Sequence, residues 1–359
     1  MNNWIRVSEN IYSHLGDDES RTIFENRLLY SLTGNMKKIQ DTICLTNEGF
    51  QFYELLQESR GNYVFGAGTW GREIISAWPG YWNGIIDNNN KISGQYIDGI
   101  KVGTLQDYGK ELVNETNKIF ICTRLYYDEI FKQLIDFGVS DSCIVNVGKI
   151  IDDMAKRQYF DLPYLTHDEH EVFLDIGSVD AATSENFVNW CQDDYLKIYA
   201  FEADEKNFIR CKKRLEALGG NKSSVFPKGC WSEQGKLTFV SRGNGGSSFV
   251  LRPQENEESF TVDVTTIDLE MVEDVPTFVK MDIEGSEIEA LKGAEKIIRL
   301  NSPKLAVSVY HKKDDILLIP DLILSYHSDY TLYFRHYSLA AAETVIYAIP
   351  QKEKVKHDF

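Results

Sequence analysis

The chain has 359 residues, enough for about two domains of ordinary size, and its 43% hydrophobic and 12% aromatic residues are ample for packed cores. Its 38 basic and 55 acidic residues leave a formal net charge of −17, which disfavours nucleic-acid backbones and anionic membrane surfaces as partners. The opening MNNWIRVSEN shows no signal-peptide pattern, no stretch nears the ~20 apolar residues of a membrane span, and the six scattered cysteines form no CxxC pair; the expectation is a cytoplasmic protein with reduced thiols.

Residues 1–60 read as a helical segment, with N-caps at Asp18 to Ser20, apolar Ile23, Leu28, Leu29 and Leu32 at roughly helical spacing, and a C-cap at Gly34. From 61 to 150 strands and helices alternate as in a small Rossmann-like domain. Tyr63-Val64-Phe65 reads as a strand and Gly66-Ala67-Gly68-Thr69-Trp70-Gly71 as a turn into a helix, with further strands at Gly84 to Asp87, Lys118 to Cys122 and Cys143 to Val147. Glycines at that spacing let backbone approach a ligand at a helix N-terminus, and Asp87 stands ~20 residues on, where a ribose-binding carboxylate is expected. Against a dinucleotide enzyme, the unit is nearer half of such a fold than a whole one, and no hydride-transfer constellation follows. The stretch resembles the N-terminal domains of sugar-modifying enzymes such as bacterial sugar acetyltransferases, where GAGxxG and Gly-x-x-Asp-Asn recur. A bound nucleotide or nucleotide-sugar is one reading, and docking or homo-oligomerisation is the other.

Residues 151–170 are polar, carry Pro163 and read as a linker with some helix. Within them His167-Asp168-Glu169-His170 invites a metal reading. Two histidines three apart converge only on a helix, however, and a strand follows, so a solvated charge run is expected.

From 171 to 350 the α/β alternation restarts. The strand from Glu171 ends at Asp175, followed by Gly177, which permits a close turn, Ser178, and a helix from Ala181 to Cys191. A second strand, Lys197 to Phe201, ends in Glu202 and Ala203, where a carboxylate can accept hydrogen bonds from both hydroxyls of a ribose. One glycine flanked by Asp175 and Asp180 suits a pyrophosphate poorly and tolerates a cationic sulfonium with an amino-acid tail, which favours S-adenosylmethionine over NAD. Trp231, after a third strand, can lie on an adenine face or in the core. Strand residues Phe278, Val279 and Met281 lead into Asp282, Glu284 and Gly285 and then a helix, where Glu284 and Glu287 can also serve as helix caps. Pro303 to His311 forms a strand ending in Tyr310 and His311. The strands Tyr330 to Tyr337 and Thr344 to Ala348 close the sheet, with a tail at 351–359.

Six stretches in order carry a resemblance: VFLDIGSVDAATSENF (172–187), AFEADEKNF (200–208), TTIDLE (265–270), TFVKMDIEGSEIEALKGA (277–294), VSVYHKKDDILLIP (307–320) and YTLYFRHYSLAAAETVIYAIP (330–350). With them, residues 171–350 resemble the FkbM family of S-adenosylmethionine-dependent methyltransferases. The resemblance implies a class I methyltransferase sheet, mostly parallel with an antiparallel closing strand. It also implies methyl transfer, usually to a hydroxyl of a sugar, polyketide or other small molecule. Asp175, Gly177, Ser178, Glu202, Ala203, Trp231 and Asp282 are the expected cofactor residues. His311 is the expected general base, with Asp282 second. Tyr310, Arg335 and His336 are expected to contact the substrate. A divalent ion on Asp282, Glu284 and His311 is possible in principle but not expected. The sequence departs from the family pattern at Ala181 and Ala182, where members usually carry Gly, often followed by Asp. That departure motivates a rival reading as a binding or scaffold protein without turnover, and the Gly66 turn motivates a second, an NAD(P)-linked sugar oxidoreductase.

Overall fold

The computed structural model describes residues 2–240, 248, 249 and 259–351. Apart from Ser248, the glycine-rich stretch 243–248 that the sequence suggests as a hairpin tip lies outside them, as does the tail beyond Gln351. Four helices open the chain: Asn2–Ser13, Asp18–Thr33, Met36–Ile43 and Asn47–Glu58. The last two start where polar side chains cap free N–H groups, Asn35 accepting from Lys37 N and Thr46 from Gly49 N. The chain divides into two compact units, a larger one of Met1–Phe24, Arg157–Arg335 and Thr344–Phe359 and a smaller one of Glu25–Lys156 and His336–Glu343. The helical segment read as 1–60 is thus shared between the units. Helix Val147–Arg157 occupies the start of the stretch read as a linker.

The smaller unit is built on β1 (Gly61–Phe65), β2 (Gly84–Ile86), β3 (Tyr96–Ile97), β4 (Ile100–Gly103), β5 (Asn117–Ile121) and β6 (Ile144–Asn146), ordered β3-β4-β2-β1-β5-β6. All pair in parallel except β3, which forms a hairpin with β4. Chain order reverses at β1, so the Gly66 turn stands at a topological switch point. Phe52, Trp78, Trp82 and Phe120 form an aromatic core beside the sheet. The segment 336–343 is tied into this unit by Trp78 Nε1 donating to Leu339 O (2.9 Å) and Arg27 Nη1 donating to Ala341 O (2.6 Å).

The larger unit contains β7 (Glu171–Ile176), β8 (Tyr195–Phe201), β9 (Ser223–Phe226), β10 (Gly229–Cys230), β11 (Gly235–Val240), β12 (Ser248–Phe249), β13 (Ser259–Thr265), β14 (Phe278–Met281), β15 (Lys304–Ser308), β16 (Tyr330–His336) and β17 (Thr344–Pro350). Seven of them form the main sheet, ordered β16-β17-β15-β14-β7-β8-β9, with β17 antiparallel to β15; β10 to β13 form a small side sheet. Every residue of β7, β14 and β15 is buried, as expected of strands covered on both faces. At their N-terminal ends the buried Lys304 ammonium pairs with Glu171 and with Asp168 (3.2 Å). This accounts for one residue of the His167–His170 charge run.

The first residues belong here because Leu332 N donates to His14 O and Gly16 N to Leu332 O. Helix Asn2–Ser13 packs against helix Asp315–Tyr326. Among the described residues no helix is long and apolar enough to cross a membrane.

Candidate functional site

Order in the main sheet reverses between β7 and β14, so their C-terminal ends flank the crevice where open α/β sheets take ligands. Gly177, just after β7, has φ +77°, and a Cβ on it would lie 1.9 Å from Asp282 O. Only glycine lets the two chain segments close up in this way. Asp282 N also donates to Ile176 O (3.1 Å), which fixes Asp282 at the crevice.

Asp175 is completely buried. One of its oxygens lies 3.1 Å from Lys280 Nζ and the other accepts from Ser184 Oγ at 2.7 Å. The same ammonium donates to Gly177 O (2.8 Å). Asp175 therefore holds the loop through Lys280 rather than presenting a free carboxylate. Ser178 is likewise turned inward, its hydroxyl 3.2 Å from Cys211 Sγ. Lys280 escapes a sequence reading because it stands in an otherwise apolar run; the signal available was that one charge inside a buried strand.

The loop after Gly177 is strained. Val179 and Ala181 have φ of +51° and +62°, a left-handed conformation that is an outlier for a β-branched residue. Ala181 is one of the two positions where the family pattern calls for glycine or aspartate. What holds Val179 is its N–H, which donates to Glu202 Oε2 at 2.8 Å. Glu202 ends β8 and is 6% exposed, and its other oxygen accepts from Asp204 N (2.8 Å). Burial, reinforced by the charge of Asp204, outweighs those two hydrogen bonds and pushes its carboxyl up to about 7. A cavity of about 710 Å³ opens beside it, lined in part by Ala203, Pro227 and Phe260. Trp231 is half-buried, its N–H on Thr265 O and its carbonyl against Gly293, where a Cβ would sit 2.0 Å away.

Asp282 is surrounded by donors. Tyr159 OH donates to Oδ2 (2.9 Å), Tyr310 OH to Oδ1 (3.3 Å), and His311 Nε2 lies 3.5 Å from Oδ1. Tyr159, at φ +76°, comes from the stretch read as a linker, and nothing in its polar surroundings announces the role. The His311 ring is nearly buried, with Nδ1 3.0 Å from Glu287 Oε1 and Nε2 3.5 Å from Glu284 Oε2. Burial alone would lower the imidazole pKa. The bond to and charge of Glu287, then the charges of Asp282 and Glu284, outweigh it and raise it to about 9. Glu287 also caps its helix, Oε1 accepting from Ile283 N at 2.9 Å. Asp282, Glu287 and His311 each bring a ligand atom within 4.8 Å of the others, a spacing that suits a metal ion. The set differs from the expected one in having Glu287 in place of Glu284.

The remaining substrate expectations lead elsewhere. Arg335 is engaged by the start of helix Asp18–Thr33, with Nη2 2.6 Å from Asp17 Oδ2 and Nε 3.3 Å from Glu19 Oε2. His336 is 2% exposed within the smaller unit, and burial together with the nearby Arg27 lowers its pKa to about 3, so it is neutral. The structure brings Asp282, Tyr310 and His311 together.

Residues 175–337 match the family model of the methyltransferase FkbM domain. A solved structure of methyltransferase FkbM from Methylobacillus flagellatus KT is similar over 88% of this chain and 99% of its own, with 17% identity and a TM-score of 0.51. An rRNA methylase from Streptococcus thermophilus is similar over 56% of this chain and 94% of its own, with 14% identity and a TM-score of 0.34. No curated protein matches the chain in sequence. The fold is thus the class I methyltransferase Rossmann-like one.

Replacing Lys280 by Met leaves the Asp175 carboxylate buried without its cation, and is expected to destabilise the protein by about 3–5 kcal/mol in denaturant unfolding. A loss under about 1 kcal/mol would mean that the pair does not hold the loop. Val179→Gly removes left-handed strain from an exposed side chain and should raise stability by about 1 kcal/mol in the same measurement; a decrease would show the conformation to be unstrained.

Proposed function

Taking residues 175–337 as an FkbM methyltransferase domain, we propose that the chain transfers a methyl group from S-adenosylmethionine to a hydroxyl of a sugar or related small molecule. The observation that carries this reading is the seating of Gly177 on the Asp282 carbonyl. It gathers the ends of β7 and β14 at one crevice, with Glu202 held against the Gly177 loop by Val179 N. The side chains fit such a cofactor. Glu202 retains lone pairs for ribose hydroxyls beyond its two backbone donors. The acidic character of Asp282 and Glu284 suits a sulfonium better than a polyphosphate. Glu202, Ala203 and the Gly177–Ser178 backbone would hold the nucleoside, Trp231 would border the adenine, and Asp282 would border the transferred group. When bound, the cofactor supplies an electrophilic methyl for in-line displacement.

The protein's own contribution is alignment and proton removal. Tyr159 and Tyr310 fix the Asp282 carboxylate. His311 is the proposed base, acting as the neutral imidazole that forms when its proton leaves the carboxylate cluster. The spacing of Asp282, Glu287 and His311 would also suit a divalent ion, which would be held by one nitrogen and two carboxylate oxygens.

Calorimetry with S-adenosylmethionine is expected to give binding that Glu202→Ala weakens about tenfold or more. The wild-type affinity should fall as pH drops from 8 to 6, because the ionised carboxylate, lost below about 7, is the better acceptor for hydroxyls. Failure of the wild-type protein to bind would remove the enzyme reading. The acceptor can be sought by mass spectrometry of surface and nucleotide-linked sugars from cells with and without the chain, looking for one methyl group lost. With that acceptor, turnover should rise with pH from 7 towards about 9, as the neutral His311 population grows, and His311→Ala should abolish it while cofactor binding persists. A flat profile with an active His311→Ala would reassign the base to Asp282.

A further inference from the structure

The smaller unit carries a cavity of about 590 Å³ at the C-terminal ends of β1, β2 and β5, lined in part by Gly66, Gly68, Trp70, Asp87, Arg124 and Tyr126. We propose that it is a second ligand site and that its ligand carries a nucleoside diphosphate. The three glycines of the turn separate by cause. Gly66 is required by its φ of +110°. Gly71 is required because a Cβ on it would stand 1.9 Å from Gly66 O. Gly68 is required by neither: its φ is −72° and nothing lies within 4 Å of where its Cβ would be. Any residue fits there as far as the protein is concerned, and what the missing side chain leaves open is the cavity wall.

The polar groups around that opening match the two ends of such a ligand. Gly68 is the N-cap of helix Thr69–Ala77 and makes no side-chain cap, and the first intrahelical bond runs from Arg72 N to Gly68 O. The N–H groups of Thr69, Trp70 and Gly71 therefore precede the helical ladder, at the positive end of the helix dipole. Beside the same turn Asp87 is pinned by backbone on both oxygens, Oδ2 accepting from Ala67 N and Oδ1 from Asn89 N, each at 2.8 Å. Each oxygen keeps a further lone pair for a ribose hydroxyl, while the charge repels a phosphate on that ribose. The rest of the wall is largely apolar, and Leu125 and Tyr126 are 81% and 60% exposed at the rim, where a base would cover them. Arg124 adds a cation to the lining, shared with Asp152 at 3.2 Å. In a chain of net charge −17 an anion has no general attraction to the surface, so recognition here has to be local.

Dinucleotides and nucleotide-sugars share this chemistry, and titration of the full chain separates them. Calorimetry would use ADP, UDP, NAD⁺, UDP-glucose, uridine and inorganic pyrophosphate as probes. At least one nucleoside diphosphate compound is expected to bind with Kd on the order of 10–100 µM, and uridine about tenfold more weakly or not at all. Tighter NAD⁺ assigns a dinucleotide and tighter UDP-glucose a nucleotide-sugar. Gly68→Val should weaken binding about tenfold without lowering the unfolding midpoint, since the side chain enters open space. Asp87→Asn should weaken the nucleoside diphosphates but leave pyrophosphate unchanged, and it decides the matter if the valine variant fails to fold. The proposal is overturned if no probe binds at millimolar concentration, if neither variant weakens binding, or if pyrophosphate binds as tightly as every nucleoside diphosphate.

Discussion

A single buried cation organises the crevice of the larger unit. Lys280 lies opposite Asp175 in the β14–β7 register, and both side chains are almost wholly removed from water. An unpaired charge there would be prohibitive, so each residue requires the other. The ammonium also donates to Gly177 O and stands 5.5 Å from the centre of the Tyr159 ring. Through Gly177 it seats the first loop on Asp282, and Tyr159 in turn donates to the Asp282 carboxylate. A strand-to-strand ion pair is thereby converted into the position of one acidic side chain at the sheet edge.

The chain uses the same topological device twice with different chemistry. Both mostly parallel sheets reverse at a central strand followed by a glycine turn and a helix. In the smaller unit the turn has three glycines and an uncapped helix start, surroundings that suit a phosphate anion. In the larger unit a lone glycine is followed by strained non-glycine residues, with carboxylates near neutral or clustered on a histidine. One kind of scaffold therefore carries two edges that differ in their side chains rather than in fold.

Much of the architecture was legible in sequence because it rests on local pattern. The apolar runs of β7, β14 and β15, the carboxylate closing β8, and Tyr310-His311 after β15 could all be read directly. The interior of the site was harder to read, since it depends on contacts across long sequence separations. Tyr159 looked like part of a polar linker until tertiary packing gave it a left-handed backbone and an Asp282 partner. The burial of Asp175 against Lys280 could not be read because the lysine is more than a hundred positions away, its one local signal being a lone charge in an apolar strand. The surroundings of Arg335 and His336 were hidden in the same way, since their neighbours Asp17 and Arg27 stand near the other end of the chain.

The distance between those partners has a consequence for how the protein is made. Phe334 N donates to the Ser20 hydroxyl across 314 positions of sequence, and the larger unit is closed only by β17. During synthesis the first helices emerge long before the strand they pack on exists. The smaller unit has nearly all of its sequence available much earlier, lacking only 336–343. The contacts that hold the first helices in the larger unit are therefore made with segments close to the other end of the chain, helix Asp315–Tyr326 and strand β16.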